Sequence, residues 1–170
     1  MVRTKIVGLG HAVPDRIVTN ADLENLMDTS DEWIIERSGI KERRHVDQGQ
    51  AASDLAIDAT KMACKNSGVK PNEIELIIFC SISSDHFFPG GAVQIQEKLG
   101  MKNIGAFDLK AACSGFIYGL SIAEQYIKNG IFENILLVGA EVQSTAMDLT
   151  TRGRDVAVIF GDGAGAVVIS

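Results

Sequence analysis

A cysteine stands at the junction between a predicted strand and a predicted helix, where its thiol could act as a nucleophile. Cys113 follows the apolar run Ile104–Leu109, and the apolar residues after it recur at the spacing of one helix face. Unpaired N–H groups and the helix dipole stabilise a thiolate at such a start relative to the thiol. Small residues on both sides leave room for a substrate carbonyl. The position also suits a cysteine that only packs in a tight strand-to-helix turn.

A second group of residues could hold a nucleotide. Residues 37–44 carry four basic side chains and one acidic side chain, which suits a small anionic ligand. Trp33 precedes Arg37 by four residues, so an indole and a guanidinium can share one side of a helix. The alternatives are a solvated charged face and, for Trp33, a role in covering a sheet edge together with Ile34.

The elements that would position these residues alternate between strands and helices. Short apolar or β-branched runs predict five strands: Lys5–Gly10, Glu75–Ser81, Ile104–Leu109, Asn134–Gly139 and Ala164–Ile169. Helical spacing predicts three helices between them: one capped by Ser53 and ended by Gly68, one over Gly91–Leu99 and one over Cys113–Lys128. This order predicts an α/β fold with a mostly parallel sheet and helices on both faces.

Two segments depart from this alternation. An insertion at residues 15–50 follows the first strand, and within it Thr29 and Ser30 precede acidic and apolar residues, which is typical of a helix start. The last strand follows the fourth too closely for a crossover helix of ordinary length. We therefore expect it to pair antiparallel, which makes the sheet mixed. A length of 170 residues indicates one domain.

The composition argues against several classes of function. A net charge of −6 argues against a nucleic-acid-binding protein, because phosphate neutralisation needs a basic face. The longest uncharged run, residues 111–123, is shorter than the ~20 residues that span a bilayer, and Met1–Val7 is too short for a signal peptide. The three cysteines form no CxxC pair and no zinc spacing, which indicates a cytoplasmic protein without a bound metal. Cys64 and Cys80 lie in apolar surroundings and are interpreted as structural.

Two glycine-rich segments lack the context of phosphate-binding loops. Gly8–Gly10 follows a strand, but the third glycine of the dinucleotide motif is absent and Pro14 comes soon after. Gly161–Gly165 precedes a strand rather than a helix. We interpret this second segment as a tight turn at which backbones approach closely.

Four ordered motifs resemble those of β-ketoacyl-acyl-carrier-protein synthase III. They are Thr29-Ser30-Asp31-Glu32-Trp33-Ile34, Arg37-Ser38-Gly39-Ile40 with Arg43-Arg44, Ala111-Ala112-Cys113-Ser114-Gly115, and Phe160-Gly161-Asp162-Gly163-Ala164-Gly165-Ala166. The resemblance implies a thiolase fold, in which two similar αβα halves pack together. It covers the first half only, so we expect residues 1–170 to form the N-terminal half-domain, with a CoA-contacting segment in the 15–50 insertion and the C-terminal half absent.

The resemblance implies the priming condensation of fatty-acid synthesis. Cys113 would accept an acyl group, acetyl first of all, from acyl-CoA and pass it to malonyl-acyl-carrier protein with loss of carbon dioxide. Trp33 and Arg152 match the pair that sandwiches the CoA adenine. The other implied site residues are Thr29, Arg37 and Ser38 along the CoA path, and Phe88, which reaches the partner's acyl pocket in a homodimer. No cofactor is implied, since acyl-CoA is a substrate.

Two features depart from the family's pattern. The histidine and asparagine that promote decarboxylation lie in the family's second half, and His11, His45 and His86 match neither of them. We therefore expect the 170-residue chain by itself to be inactive in condensation. Lys110 stands where a small or apolar residue is commoner, and it either stabilises the neighbouring thiolate or points to solvent.

The motifs leave other functions open. A secondary-metabolite ketosynthase and a hydroxymethylglutaryl-CoA synthase-like enzyme also place a cysteine at this helix start. The histidine and asparagine of the second half would distinguish them. A non-catalytic, truncated half-domain is the alternative of a different class.

Overall fold

The computed structural model describes residues 3–170 and divides into two compact units. The first unit holds the described residues up to Ala12, Ala51–Glu141 and Gly163–Ser170, and the second holds Val13–Gln50 and Val142–Asp162. The second unit therefore combines the segment treated above as an insertion with residues 142–162. Met1 and Val2, with which the segment considered as a signal peptide begins, lie outside the described residues.

Strands and helices follow the predicted order closely. The strands are β1 (Ile6–Ala12), β2 (Ile17–Thr19), β3 (Glu42–Arg44), β4 (Leu76–Cys80), β5 (Gly105–Leu109), β6 (Ile135–Glu141) and β7 (Gly163–Ile169). The α-helices are α1 (Asn20–Glu24), α2 (Asp31–Ser38), α3 (Ala52–Ser67), α4 (Gly91–Lys98), α5 (Gly115–Lys128) and α6 (Arg154–Ala157). All five predicted strands are present, and the three-residue strands β2 and β3 are additions.

The first unit is built on a mixed sheet with the strand order β1-β7-β6-β4-β5. Strand β4 pairs in parallel with β5 and β6, which places Ile77 opposite Ala106 and Leu136. Strand β7 is antiparallel to both of its neighbours, β6 and β1. Two of the four strand pairings are thus parallel and two antiparallel. The antiparallel last strand and the mixed sheet are both as predicted.

Helices cover both faces of this sheet. Leu76, Ile78 and Cys80 of β4 share one core cluster with α5. The alternate residues Ile77 and Phe79 point to the other face, because successive side chains of a strand alternate. On that face a Cβ at Gly91 would lie 2.3 Å from the ring of Phe79, so α4 packs with its backbone against the ring.

Helix α3 lies against β1, backbone to backbone. A Cβ at Gly10 would lie 2.1 Å from the carbonyl oxygen of Ala59, and one at Gly8 would lie 2.3 Å from that of Ala63. The glycines of this segment therefore serve strand-to-helix packing, since any side chain would collide with the helix.

The start of α3 differs from the prediction. The helix begins at Ala52, so Ser53 lies in its first turn and is not the N-cap. The N–H of Ser53 donates to the carboxylate of Asp85 at 2.9 Å, and its hydroxyl donates to the same carboxylate. A side chain from another segment therefore takes the place of the predicted cap. The end at Gly68, with φ of 76°, is as predicted.

The second unit has a small core of its own. Helix α2 begins after Ser30, whose hydroxyl accepts a hydrogen bond from the N–H of Trp33 at 3.1 Å, as the sequence predicts. Strands β2 and β3 pair antiparallel. The buried residues of this core are Val18, Leu23, Met27, Ile34, Ala157 and Val158.

Candidate functional site

Cys113 is exposed at the start of α5, as the strand-to-helix junction predicts. It lies in a short 3-10 turn, Ala112–Ser114, between β5 and α5. Ala112 adopts a positive φ of 45°, a strained conformation for a residue with a side chain. The cysteine borders a cavity of about 250 Å³ whose lining includes the small residues Gly139 and Gly165. A substrate carbonyl can therefore approach the sulfur.

The other two cysteines are buried in the first unit. Burial raises the pKa of Cys64, and burial together with the charge of Asp108 raises the pKa of Cys80 to about 11. Both thiols are therefore protonated and shielded near neutral pH. This agrees with their interpretation as structural residues.

We expect Cys113 to be the one fast-reacting thiol of the folded chain. Iodoacetamide at pH 7 should modify Cys113 about 100-fold faster than Cys80, because the raised pKa and the burial of Cys80 both reduce the accessible thiolate of that residue. Peptide mapping by mass spectrometry measures the rates, and the urea-unfolded chain, in which all three thiols should react alike, is the control. Equal labelling of Cys80 in the folded chain would contradict the assignment.

A cavity of about 520 Å³ in the second unit is lined by an aromatic ring and two guanidinium groups. The guanidinium carbon of Arg37 lies 4.3 Å from the ring centroid of Trp33, and that of Arg154 lies 4.6 Å from it. Ser38 lines the same cavity. Two cations beside one indole suit a ligand that combines an aromatic ring with anionic groups, such as a nucleotide.

Arg152 does not line this cavity, and its assignment to the CoA adenine opposite Trp33 stays a prediction. Its Nε donates to the carboxylate of Asp148 at 2.7 Å, and its side chain is 90% exposed. Arg154 lines the cavity instead, and its Nη1 donates to the carbonyl of Asp28 at 2.8 Å. The sequence offers two arginines around Gly153, and only the course of the backbone shows which one turns towards the indole.

Two hydroxyl groups assigned to the CoA path have different surroundings. The Oγ1 atom of Thr29 is buried without a hydrogen-bond partner, although Thr29 does not line the cavity. The hydroxyl of Ser38 donates to the carbonyl of Ile34 at 2.8 Å and accepts from the N–H of Ile40 at 3.2 Å. Ser38 therefore already has local partners, whereas Thr29 retains hydrogen-bonding capacity.

A buried carboxylate in the glycine-rich segment was not foreseen from the sequence. Asp162 is 6% exposed and accepts hydrogen bonds from the N–H groups of Val46 at 2.7 Å, Gln143 at 2.8 Å and Ser144 at 2.9 Å. The hydroxyl of Ser144 donates to it as well. One side chain thus ties both segments of the second unit together. The predicted close approach of backbones is present, since a Cβ at Gly161 would lie 3.0 Å from the Arg44 carbonyl oxygen. The predicted turn is not, because Gly163 and Gly165 belong to β7.

His45 makes the stability of the second unit dependent on pH. It is 4% exposed and its Nε2 has no hydrogen-bond partner. Burial holds the pKa of His45 below its ordinary value of 6.5, Arg16 and Arg43 act in the same direction, and Asp162 opposes them. The unfolded chain therefore binds a proton near pH 6.5 that the folded chain does not bind.

The free energy of unfolding should consequently be highest above pH 6.5 and fall as the pH drops below that value. For one proton the slope is at most about 1.4 kcal/mol per pH unit. Urea unfolding at pH 7.5 and 5.5 measures the slope. His45→Gln should flatten the slope, and His86→Gln, at an exposed position, should not. A slope unchanged by His45→Gln would assign the pH dependence to other groups.

Phe88 lies in an exposed aromatic pair of the first unit. Phe87 is 90% exposed and Phe88 is 86% exposed, and the Phe88–Pro89 peptide bond is cis. The Nζ of Lys110 lies 4.3 Å from the ring centroid of Phe87. Lys110 therefore contacts an aromatic ring. The sequence had suggested only that it stabilises the neighbouring thiolate or points to solvent.

Within residues 3–170, no helix is both long and apolar enough to cross a membrane. The same residues contain no group of three or more His, Cys, Asp or Glu side chains that could hold a metal ion. The lack of a cofactor and of nucleic-acid binding remain predictions.

The chain is similar to β-ketoacyl-acyl-carrier-protein synthases III over nearly its whole length. A family model described as 3-oxoacyl-[acyl-carrier-protein (ACP)] synthase III matches residues 107–170. The β-ketoacyl-[acyl-carrier-protein] synthase III 1 of Vibrio parahaemolyticus is 49% identical over 166 residues, which are 98% of this chain and 52% of that protein. The chain thus spans about half the length of the curated relatives it matches.

Solved structures of such enzymes share the fold. The 3-oxoacyl-[acyl-carrier-protein] synthase III of Aquifex aeolicus superposes with a TM-score of 0.94 at 45% identity, covering 99% of this chain and 54% of that one. The priming β-ketosynthase of the R1128 polyketide pathway gives a TM-score of 0.93 at 34% identity, covering 98% of this chain and 49% of that one. The predicted fold class, one half of a thiolase-like α/β fold, is confirmed.

Proposed function

This chain is homologous to about half of a β-ketoacyl-[acyl-carrier-protein] synthase III, and on that premise we propose that it supplies the acyl-accepting cysteine of such an enzyme. The intact protein would take the acyl group of an acyl-CoA, acetyl-CoA first of all, and condense it with malonyl-acyl-carrier protein to prime fatty-acid synthesis. The observation that carries the proposal is the exposed Cys113 at the start of α5, beside a cavity lined largely by small residues. The experiment that tests it is acetyl transfer to Cys113, followed by mass spectrometry.

The first step uses groups present in this chain. The Cys113 sulfur attacks the thioester carbonyl carbon, a carbon–sulfur bond to Cys113 forms, and the CoA thiolate leaves and is protonated. Small residues around the sulfur leave room for the tetrahedral intermediate.

The second step needs groups that the described residues, 3–170, do not place at the cysteine. The malonyl thioester loses carbon dioxide, and the electron pair of the broken carbon–carbon bond stays on the thioester as an enolate. The enolate carbon then attacks the acyl carbon, the new carbon–carbon bond forms, and the Cys113 sulfur leaves. A histidine or amide donor that stabilises the enolate is required. None of His11, His45 and His86 lines the Cys113 cavity. We therefore expect this chain alone to form an acyl-enzyme at most and not to condense it.

The CoA nucleotide is assigned to the cavity of the second unit. The Trp33 indole offers a stacking face for adenine, and the guanidinium groups of Arg37 and Arg154 offer charge for the phosphates. Thr29 is assigned to the CoA path by resemblance to the family alone, because its buried Oγ1 does not line this cavity.

CoA titration should distinguish the two arginines. We expect Trp33→Ala to weaken CoA binding by about 1–2 kcal/mol and Arg154→Ala to weaken it by a similar amount, the scale of a desolvated stacking or cation–π contact. Arg152→Ala should leave the affinity within about threefold of the original, because its exposed guanidinium faces Asp148. Isothermal calorimetry measures all three variants, and CoA should also change the fluorescence of Trp33, the only tryptophan.

A larger loss in Arg152→Ala than in Arg154→Ala would restore the assignment made from the sequence. Unchanged affinity in Trp33→Ala would return this residue to a packing role.

The exposed aromatic pair is assigned to an acyl pocket in a homodimer. By analogy with the family, Phe88 of one copy lines the acyl pocket of the other. Its 86% exposure supports this assignment, because an apolar ring in an ordered loop is ordinarily covered.

A second candidate function is the priming step of a polyketide pathway. The similarity to the priming β-ketosynthase of the R1128 pathway favours it. Supplying malonyl groups on a fatty-acid carrier protein and on a polyketide carrier protein would separate the two, since only the cognate carrier should support fast condensation.

A further inference from the structure

One carboxylate holds both ends of the loop that carries the two exposed phenylalanines. We call Ser84–Gly91 the aromatic loop. At its far end Asp108 of β5 accepts hydrogen bonds from the N–H of Gly91 at 2.9 Å and of Ala92 at 2.8 Å. At its near end the hydroxyl of Ser84 donates to the same carboxylate at 3.2 Å. Asp108 therefore fixes the span of the loop.

Two further contacts act inside the loop. The Asp85 carboxylate accepts from the N–H and the hydroxyl of Ser53 at the start of α3. The Nζ of Lys110 lies 4.3 Å from the ring centroid of Phe87. A loop with free ends would fold two phenylalanine rings against the surface, because water disfavours exposed apolar area. Here four positions of the loop are held while both rings stay exposed.

The strand that holds the loop also leads to the nucleophile. Asp108 lies near the end of β5, Lys110 follows it, and Cys113 comes three residues later in the turn before α5. One strand end thus fixes both the aromatic loop and the reactive cysteine.

We propose that Asp108 and Lys110 are positioning residues that hold Phe87 together with Phe88 as a joint aromatic surface restricting the acyl pocket to short acyl chains. The proposal rests on the proposed function, in which Phe88 lines an acyl pocket, and adds Phe87 and its two anchors. Two large rings held in place leave little volume for a long chain. Loosening either anchor should admit longer acyl groups.

The test compares Lys110→Met, Lys110→Arg and Lys128→Met with the unaltered intact protein. Hydrogen exchange of peptides covering residues 84–91 should speed up about two- to fivefold in Lys110→Met, the population change that corresponds to an exposed cation–π contact. The ratio of octanoyl to acetyl transfer from CoA to Cys113 should rise in the same variant. Lys110→Arg should restore both readouts, because a guanidinium also stacks on a ring. Lys128→Met, which removes an exposed lysine of α5, should change neither.

Asp108→Asn is a second variant, in which an amide nitrogen that cannot accept a hydrogen bond replaces one carboxylate oxygen. It should increase exchange at Gly91 and Ala92 more than Lys110→Met does, since hydrogen bonds to a charged group are stronger than one exposed cation–π contact. Unchanged exchange and an unchanged acyl ratio in Lys110→Met, or no rescue by Lys110→Arg, would overturn the proposal. The exchange readout needs no catalysis. Absence of acetyl transfer in the unaltered protein would therefore contradict the proposed function, while the exchange data still judge the anchors.

Discussion

Cys113→Ala should abolish the acyl-enzyme and lower condensation by the intact protein by about 10³-fold or more. Removing a covalent nucleophile leaves only binding and electrostatic contributions, and comparable losses are typical of enzymes that work through a covalent intermediate. After incubation with acetyl-CoA, intact-mass measurement should show one added acetyl group on the unaltered protein and none on the variant. Peptide mapping should place the group on Cys113.

Cys64→Ala is the matched control, because it removes a thiol that is buried in the same unit. It should keep acetyl transfer, with a modest loss of stability from the smaller side chain. Acetylation of Cys113→Ala at another cysteine would refute the assignment of the nucleophile. Condensation by the 170-residue chain alone would refute the claim that further catalytic groups are required.

Asp162→Ala should destabilise the second unit by about 3–6 kcal/mol. The substitution removes the carboxylate that accepts hydrogen bonds from the buried N–H of Val46 and the part-buried N–H groups of Gln143 and Ser144. An unsatisfied buried donor costs about 1–3 kcal/mol, and the loss of the two part-buried hydrogen bonds adds to that cost. Trp33, the only tryptophan, belongs to this unit, so its fluorescence during urea unfolding reports the change directly. The unfolding midpoint should shift strongly to lower urea.

Two variants calibrate this result. Asp162→Asn keeps one acceptor oxygen and should lose less stability than Asp162→Ala. Asp58→Asn removes a carboxylate that is 65% exposed and should change stability by less than about 0.5 kcal/mol. Equal unfolding midpoints for Asp162→Ala and Asp58→Asn would show that the buried carboxylate is not the tie between the two segments.

Hydrophobic periodicity and capping residues predicted the strands and helices. Hydrogen bonds between side chains and distant segments of the chain were not predicted. The β4 run of five buried residues and the helix stop at Gly68 are local signals, and both are in place. The cap of α3 is not local, because it comes from Asp85, and Ser53 only resembles a cap in the sequence.

The candidate site divides in the same way. Cys113, Trp33 and Arg37 depend on helix starts and helix spacing, which the sequence carries. Arg154 and Asp162 depend on where a turn directs each side chain. The residue types in a sequence show that a guanidinium or a carboxylate is present. They do not show towards which part of the fold that side chain points.

The position of β7 between β1 and β6 has a consequence for biosynthesis. Among the described strands, β1 pairs with β7 alone, and about 150 residues separate the two along the chain. At a synthesis rate of about 5–20 residues per second, β1 waits roughly 8–30 s for that partner to be made. The strands β4, β5 and β6 can pair in the meantime, because they follow one another in the chain. The amino-terminal strand should therefore be the last part of the sheet to become protected in a growing chain, with α3 as its earliest cover.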